Sequence, residues 1–144
     1  MNSRPSGFEF FSANLVTHSK LILCVDDEPN ILYTREKILE AEGYAVLSAL
    51  DGADALELFD EHPRIGLVLL DYAMPGMDGT AVAKEMKTRR PSVPILMISA
   101  YANSMSKMTL PFIDCLITKD GSPEHLLEKV HQMFAMNSAS RRSA

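Results

Sequence analysis

Three acids, one hydroxyl and one amine stand at the ends of apolar runs in this chain. Asp26 and Asp27 follow "LILCV", Asp71 follows "LVLL", Ser99 closes "PILMIS" and Lys119 lies just past "CLIT". Carboxylates brought together repel by about 4 kcal/mol per pair at roughly 4 Å with an effective dielectric near 20. A fold that gathers three of them therefore needs cations. The ligands on offer are all hard oxygens, with no His or Cys at metal spacing, which suits Mg²⁺: this ion takes one or two carboxylates, keeps several waters and accepts phosphate oxygens. Lys119 would offset charge from the other side. Taken singly, each residue reads as a helix cap, a solvated acid or a surface lysine; as a set of five that reading fails.

The elements that must position these residues alternate between short apolar runs and helical patterns, the signature of βα units around a parallel sheet. Candidate strands are 21–25, 44–49, 67–70, 94–99 and 115–118. The unbroken apolar character of three of them suits strands covered on both faces. The pattern predicts a first helix over 29–42 with Ile31, Leu32, Ile38 and Leu39 inward, Thr34 and Arg35 interrupting the stripe, and Arg35 extending its stem toward solvent. Asp51 opens a second helix, Asp78 a third, and Ser122 followed by Pro123 the last, whose stripe is Leu126, Leu127, Val130, Met133 and Phe134. Between Ser99 and the fifth strand, Pro111 would break an interior helix at a cost of about 3 kcal/mol or more, so that segment is expected to be short or irregular.

The expected fold class is α/β: a (βα)5, doubly wound, flavodoxin-like five-stranded parallel sheet of order 2-1-3-4-5 with helices on both faces. In such a sheet all carboxyl ends share one edge, where ligands bind. Neighbouring strands lie about 4.8 Å apart, so the aspartate pair would meet Asp71 directly. Lys119 would reach across roughly 10 Å with its long side chain.

The chain has 144 residues, 47% hydrophobic and 23% charged, which suits one globular domain. The net charge of −5 and scattered Lys and Arg argue against direct nucleic-acid binding. No apolar stretch approaches the roughly 18 residues that span a bilayer. Cys24 and Cys115 lie inside apolar runs, as buried thiols of a reducing compartment do, and a cytoplasmic location is expected. Residues 1–19 read as a flexible arm, 20–135 as the domain and 136–144 as a disordered tail.

The segments "CVDDEPN", "LLDYAMPGMDG", "ISAYA" and "ITKDGSPEHLL", in this order across roughly residues 20 to 134, resemble the receiver domain of two-component response regulators, the CheY-like superfamily. The resemblance implies a signalling domain rather than an enzyme in the ordinary sense, its only catalysis being its own phosphotransfer and autodephosphorylation. Asp71 would be the phospho-acceptor, with a sensor histidine kinase or phosphotransfer protein as donor. Asp27 would ligate Mg²⁺ directly, Asp26 through water, and Asp71 and the backbone carbonyl of Ala73 would complete the protein's share. Ser99, Ala100 and Lys119 would bind the phosphoryl group and switch the face over 99–134, made by the segment after the fourth strand, the fifth strand and the last helix, toward a downstream protein or a second copy. In the "MPGMDG" turn, Pro75 would stiffen the loop, Gly76 and Gly79 supply conformations other residues resist, Asp78 cap the third helix, and Met74 and Met77 pack.

The chain departs from the family at Leu116, where Tyr or Phe is usual three residues before the lysine, and at Asp120, where proline usually follows it. Ala73 and Tyr101 occupy positions expected to tune attack of water on the phosphorylated aspartate. A haloacid dehalogenase-type phosphatase would want a second aspartate where Ala73 stands, and a dinucleotide site would want glycines after the first strand. The remaining alternative is a receiver-like adaptor that binds partners without phosphorylation. With ten residues after Phe134, the output is expected to be protein contact, by a stand-alone regulator, a relay intermediate or a receiver excised from a longer chain.

Overall fold

A computed structural model of the chain describes residues 20–76, 78–105 and 111–143, with side chains to residue 137. The expected N-terminal arm and Met77 lie outside the described residues. Five parallel strands form one sheet: β1 Leu21–Val25, β2 Ala45–Ala49, β3 Ile65–Asp71, β4 Ile95–Ser99 and β5 Cys115–Thr118. The helices are α1 Pro29–Ala41, α2 Gly52–Glu61, α3 Gly79–Arg89 and α4 Pro123–Ser143. The spatial order is β2-β1-β3-β4-β5, as the sequence pattern predicts.

Alternation along the strands divides the core into two layers. Leu23, Val25, Val68, Leu70, Ile95 and Met97 pack on one face against Phe59 of α2 and Val82 and Met86 of α3. Ile22, Cys24, Leu67, Leu69, Leu96 and Ile98 pack on the other against Leu32 and Leu39 of α1 and Val130 and Phe134 of α4. Both faces of β3 and β4 are buried, which explains their continuous apolar composition.

The helix starts follow the capping chemistry. The Asp51 carboxylate accepts from the Asp54 N–H at 2.8 Å, that of Asp78 from Ala81 N–H at 2.9 Å, and the Ser122 hydroxyl from His125 N–H at 3.1 Å. Each leaves one fewer orphan donor at a helix start.

The structure departs from the sequence reading in three places. β3 begins at Ile65, two residues earlier than its apolar run suggests, with an irregularity opposite Leu21 and Ile22 that absorbs Gly66. After β4 the described segment holds a single 3-10 turn, Ala102–Ser104, in line with the break expected at Pro111. At the C-terminus, α4 continues to Ser143 through residues read as a disordered tail; no Gly or Pro interrupts that stretch.

Candidate functional site

The strand register brings the five residues together. Val25 pairs with Leu70, so Asp26 and Asp71 follow side by side on neighbouring strands. Ser99 pairs with Thr118, and the Lys119 N–H continues the ladder to the Ser99 carbonyl at 3.0 Å. Asp26, Asp71 and Ser99 are buried, whereas Asp27 and Lys119 are half-buried. Rigid strands thus carry the acids to the sheet edge and leave access from solvent on one side.

Asp26, Asp27 and Asp71 each present a carboxylate oxygen such that all three lie within 4.8 Å of one another. Lys119 Nζ stands 3.2 Å from Asp71 Oδ1 and 3.5 Å from Asp26 Oδ2. Asp26 Oδ1 accepts from the Glu28 N–H at 3.0 Å. Asp71 Oδ2, by contrast, is buried without a hydrogen-bond partner among the described residues. An orphaned carboxylate oxygen beside two more acids, all hard donors, fits a divalent cation such as Mg²⁺.

Electrostatics follow from this crowding. Burial first, and then the charge of Asp26, push the Asp71 carboxyl above the ordinary carboxylate range; the hydrogen bond and charge of Lys119 pull the other way, and Asp27 adds a further push. Burial works to lower the pKa of Lys119, but Asp26, Asp71 and Glu28 together outweigh it and hold the ammonium above the usual lysine value. Lys119 therefore stays charged at neutral pH.

Ser99 lies one strand beyond Asp71, and its Oγ accepts from the Tyr101 N–H at 2.9 Å. Ala100 and Ala73 are exposed on the loops around it, and Tyr101 is 65% exposed. Leu116 is half-buried, packed against the α2/α3 core layer along with Met105, Phe112 and Ile113.

The site also contains a residue that the sequence reading sent to solvent. Arg35 is only 7% exposed, and its guanidinium donates to Asp26 Oδ2 at 3.3 Å. Its signal was present: Arg35 shares the buried face of α1 with Leu32 and Leu39, at spacings of three and four. A buried cation needs a partner, and Asp26 is the acid within reach.

Gly79 also acts differently from its expected role. Only Gly43 and Gly76 have positive φ among the described residues, at 95° and 82°. A Cβ on Gly79 would run into the Asp71 carbonyl oxygen and lie 2.9 Å from both Tyr72 Cα and Met97 Cε. Space, not backbone conformation, demands glycine there.

The family model described as "Response regulator receiver domain" matches residues 22–131. The chain belongs to this family. Among relatives of the receiver, the "Probable transcriptional regulator ycf27" of Porphyridium aerugineum is 37% identical over 116 residues, covering 78% of this chain and 47% of its own length. The receiver thus spans about half the length of the curated relatives it matches. Among solved structures, the response regulator protein TrrA from Thermotoga maritima in complex with Mg²⁺ and BeF is 35% identical with a TM-score of 0.74, covering 79% of this chain and 98% of that one. The same protein in complex with the histidine kinase ThkA is 36% identical with a TM-score of 0.73, covering 79% and 97%. Receivers of this family are signalling domains that partner with histidine kinases and bind Mg²⁺ at an acidic pocket. Among the described residues, no helix is long and apolar enough to cross a membrane.

Proposed function

We propose that this receiver accepts a phosphoryl group on Asp71 from the phosphohistidine of a histidine kinase or phosphotransfer protein, with Mg²⁺ bound by the acids. One observation supports this above the others: Asp71 is held through one oxygen by Lys119, while its other oxygen is buried and unpartnered beside two more carboxylates.

Asp27 would hold the ion directly, Asp26 through water, and Asp71 and the Ala73 carbonyl would complete the set. When bound, Mg²⁺ neutralises charge on the transferring oxygens, where most of the catalysis of phosphoryl transfer resides. Asp71 attacks phosphorus, the P–N bond to imidazole breaks, and an acyl phosphate forms. Lys119 turns from the carboxylate to the new phosphoryl oxygens. Ser99 gives up its contact with the Tyr101 N–H and donates its hydroxyl to the phosphoryl group, with the Ala100 N–H beside it.

The phosphoryl group adds charge and strong acceptors to a buried edge, and so favours whichever packing of the β4–β5 loops supplies donors. The output is a changed protein-binding face over residues 99–134, for a downstream protein or a second copy. With a net charge of −5, nucleic acid and anionic membrane surfaces are not its direct targets. Ala73 and Tyr101 flank the acceptor and set how readily water reaches it.

Incubation with acetyl phosphate and Mg²⁺, read by intact mass, should give one hydroxylamine-labile phosphoryl adduct. An undiminished adduct on Asp71→Asn, or none on the wild type, refutes the assignment. Leu116 and the short 3-10 turn favour a second reading, a receiver-like adaptor that binds partners unphosphorylated. Identical amide exchange over residues 99–120 before and after phosphorylation would put that reading ahead.

A further inference from the structure

The buried face of α1 carries Leu32, Arg35 and Leu39, so a guanidinium stands where packing alone would select a third aliphatic side chain. Burying a cation is costly unless a partner and hydrogen bonds compensate it. Asp26 supplies the partner: its Oδ2 lies 3.3 Å from Arg35 and 3.5 Å from Lys119, and its Oδ1 takes the Glu28 N–H. Both oxygens of Asp26 are therefore engaged, while Asp71 keeps one free. The two buried acids of the pocket are not equivalent.

Lys119 is shared between Asp26 and Asp71, but Arg35 contacts Asp26 alone. A guanidinium stays charged at any accessible pH. With every group ionised, the three acids, Lys119 and Arg35 leave one net negative charge on the pocket; without Arg35 there would be two.

We infer that Arg35 is a positioning residue, a resident cation on Asp26 that sets the divalent-cation affinity of the acidic pocket. The inference rests on the Mg²⁺ site proposed above. Arg35 weakens binding of the ion by partly neutralising the pocket beforehand. It also keeps Asp26 compensated when Lys119 turns to a phosphoryl group.

The test is a Mg²⁺ titration of the unphosphorylated full chain, followed through the amide resonances of Asp27 and Asp71, for wild type, Arg35→Leu, Arg35→Gln and Arg35→Lys. Arg35→Leu and Arg35→Gln should bind Mg²⁺ about tenfold more tightly, the effect of one charge acting across roughly 10 Å of partly screened protein. Arg35→Lys should return the affinity to the wild-type value, which a role in packing alone would not do. A wild type that binds Mg²⁺ with Arg35→Leu and Arg35→Gln no tighter overturns the inference and leaves the metal site standing. Unshifted amides in the wild type and in every variant overturn the metal site, and the inference with it. Should Arg35→Leu lose its dispersed spectrum, Arg35→Gln, which keeps a hydrogen-bond donor, decides the matter.

Discussion

Lys119 Nζ lies 3.2 Å from Asp71 Oδ1, and the opposite oxygen of the same carboxylate has no partner among the described residues. This asymmetry means Asp71 is oriented but not saturated. Lys119→Gln keeps a hydrogen-bond donor and removes the charge. We expect phosphoryl incorporation from acetyl phosphate to fall about 100-fold, the usual scale for losing one charge-stabilising donor at a reacting oxygen. A time course of intact mass measures it, and a rate within threefold (roughly the scatter of such measurements) of wild type would remove Lys119 from the mechanism.

The raised pKa of Asp71 makes a prediction about stability without metal. Its carboxyl binds a proton more readily in the folded chain than in the unfolded one, whose value is the ordinary 3.8. The ionised form therefore opposes folding at neutral pH, and that penalty fades as pH falls through the folded value toward 3.8. In chelator-treated samples Asp71→Asn should unfold at higher urea than wild type at pH 7, with the gap closing near pH 4. Adding Mg²⁺ at about 100 times its Kd should recover roughly 2.7 kcal/mol for wild type, and less for the variant. A variant that is less stable at pH 7 would mean the carboxylate is satisfied after all.

The adjacency of Asp26 and Asp71 was legible because two apolar runs end on acids and the sheet order puts those runs side by side. The caps at Asp51, Asp78 and Ser122 were equally legible, since capping depends on neighbours three residues away. Arg35 was misread because its partner is fixed by the fold: Asp26 belongs to a different element, and nothing local shows a carboxylate beneath the helix. Gly79 was misread for a related reason. Its neighbours across the turn, Asp71 and Met97, decide its role, and their approach is a property of packing. Long-range contacts between elements were thus the part the sequence left open.

Cys24 sits two residues before Asp26 in β1, fully buried, and burial pushes its thiol up to about 12 from 9.0. At pH 8 its thiolate fraction is lower than that of an ordinary cysteine by about 1000-fold, and alkylation needs the thiolate. Iodoacetamide should leave Cys24 unmodified in the native protein and modify it fully in urea, as read by peptide mapping. Native labelling of Cys24 on the timescale of an exposed thiol would show that β1 opens locally, and with it the strand that carries Asp26.

Gly79 and Gly76 offer a paired test of how the acceptor is held. Gly79 opens α3, and its N–H donates to the Tyr72 carbonyl at 2.7 Å, so the loop folds back against the strand end that carries Asp71. Gly79→Ala improves helix propensity but forces a methyl group against the Asp71 carbonyl and Met97; overpacking of this kind costs about 1–3 kcal/mol. Gly76→Ala meets no atom within 4 Å, and its cost, about 1 kcal/mol, comes from the φ of 82° alone. Urea unfolding should therefore rank Gly79→Ala as the less stable. The acetyl phosphate assay should separate the two further, with Gly79→Ala slowed because its strain falls on the backbone of the acceptor. Gly76→Ala should keep its rate, since the exposed turn can absorb the change without moving β3. Equal stability and equal phosphorylation for the two variants would mean that the close approach of α3 to Asp71 is not what fixes the carboxylate.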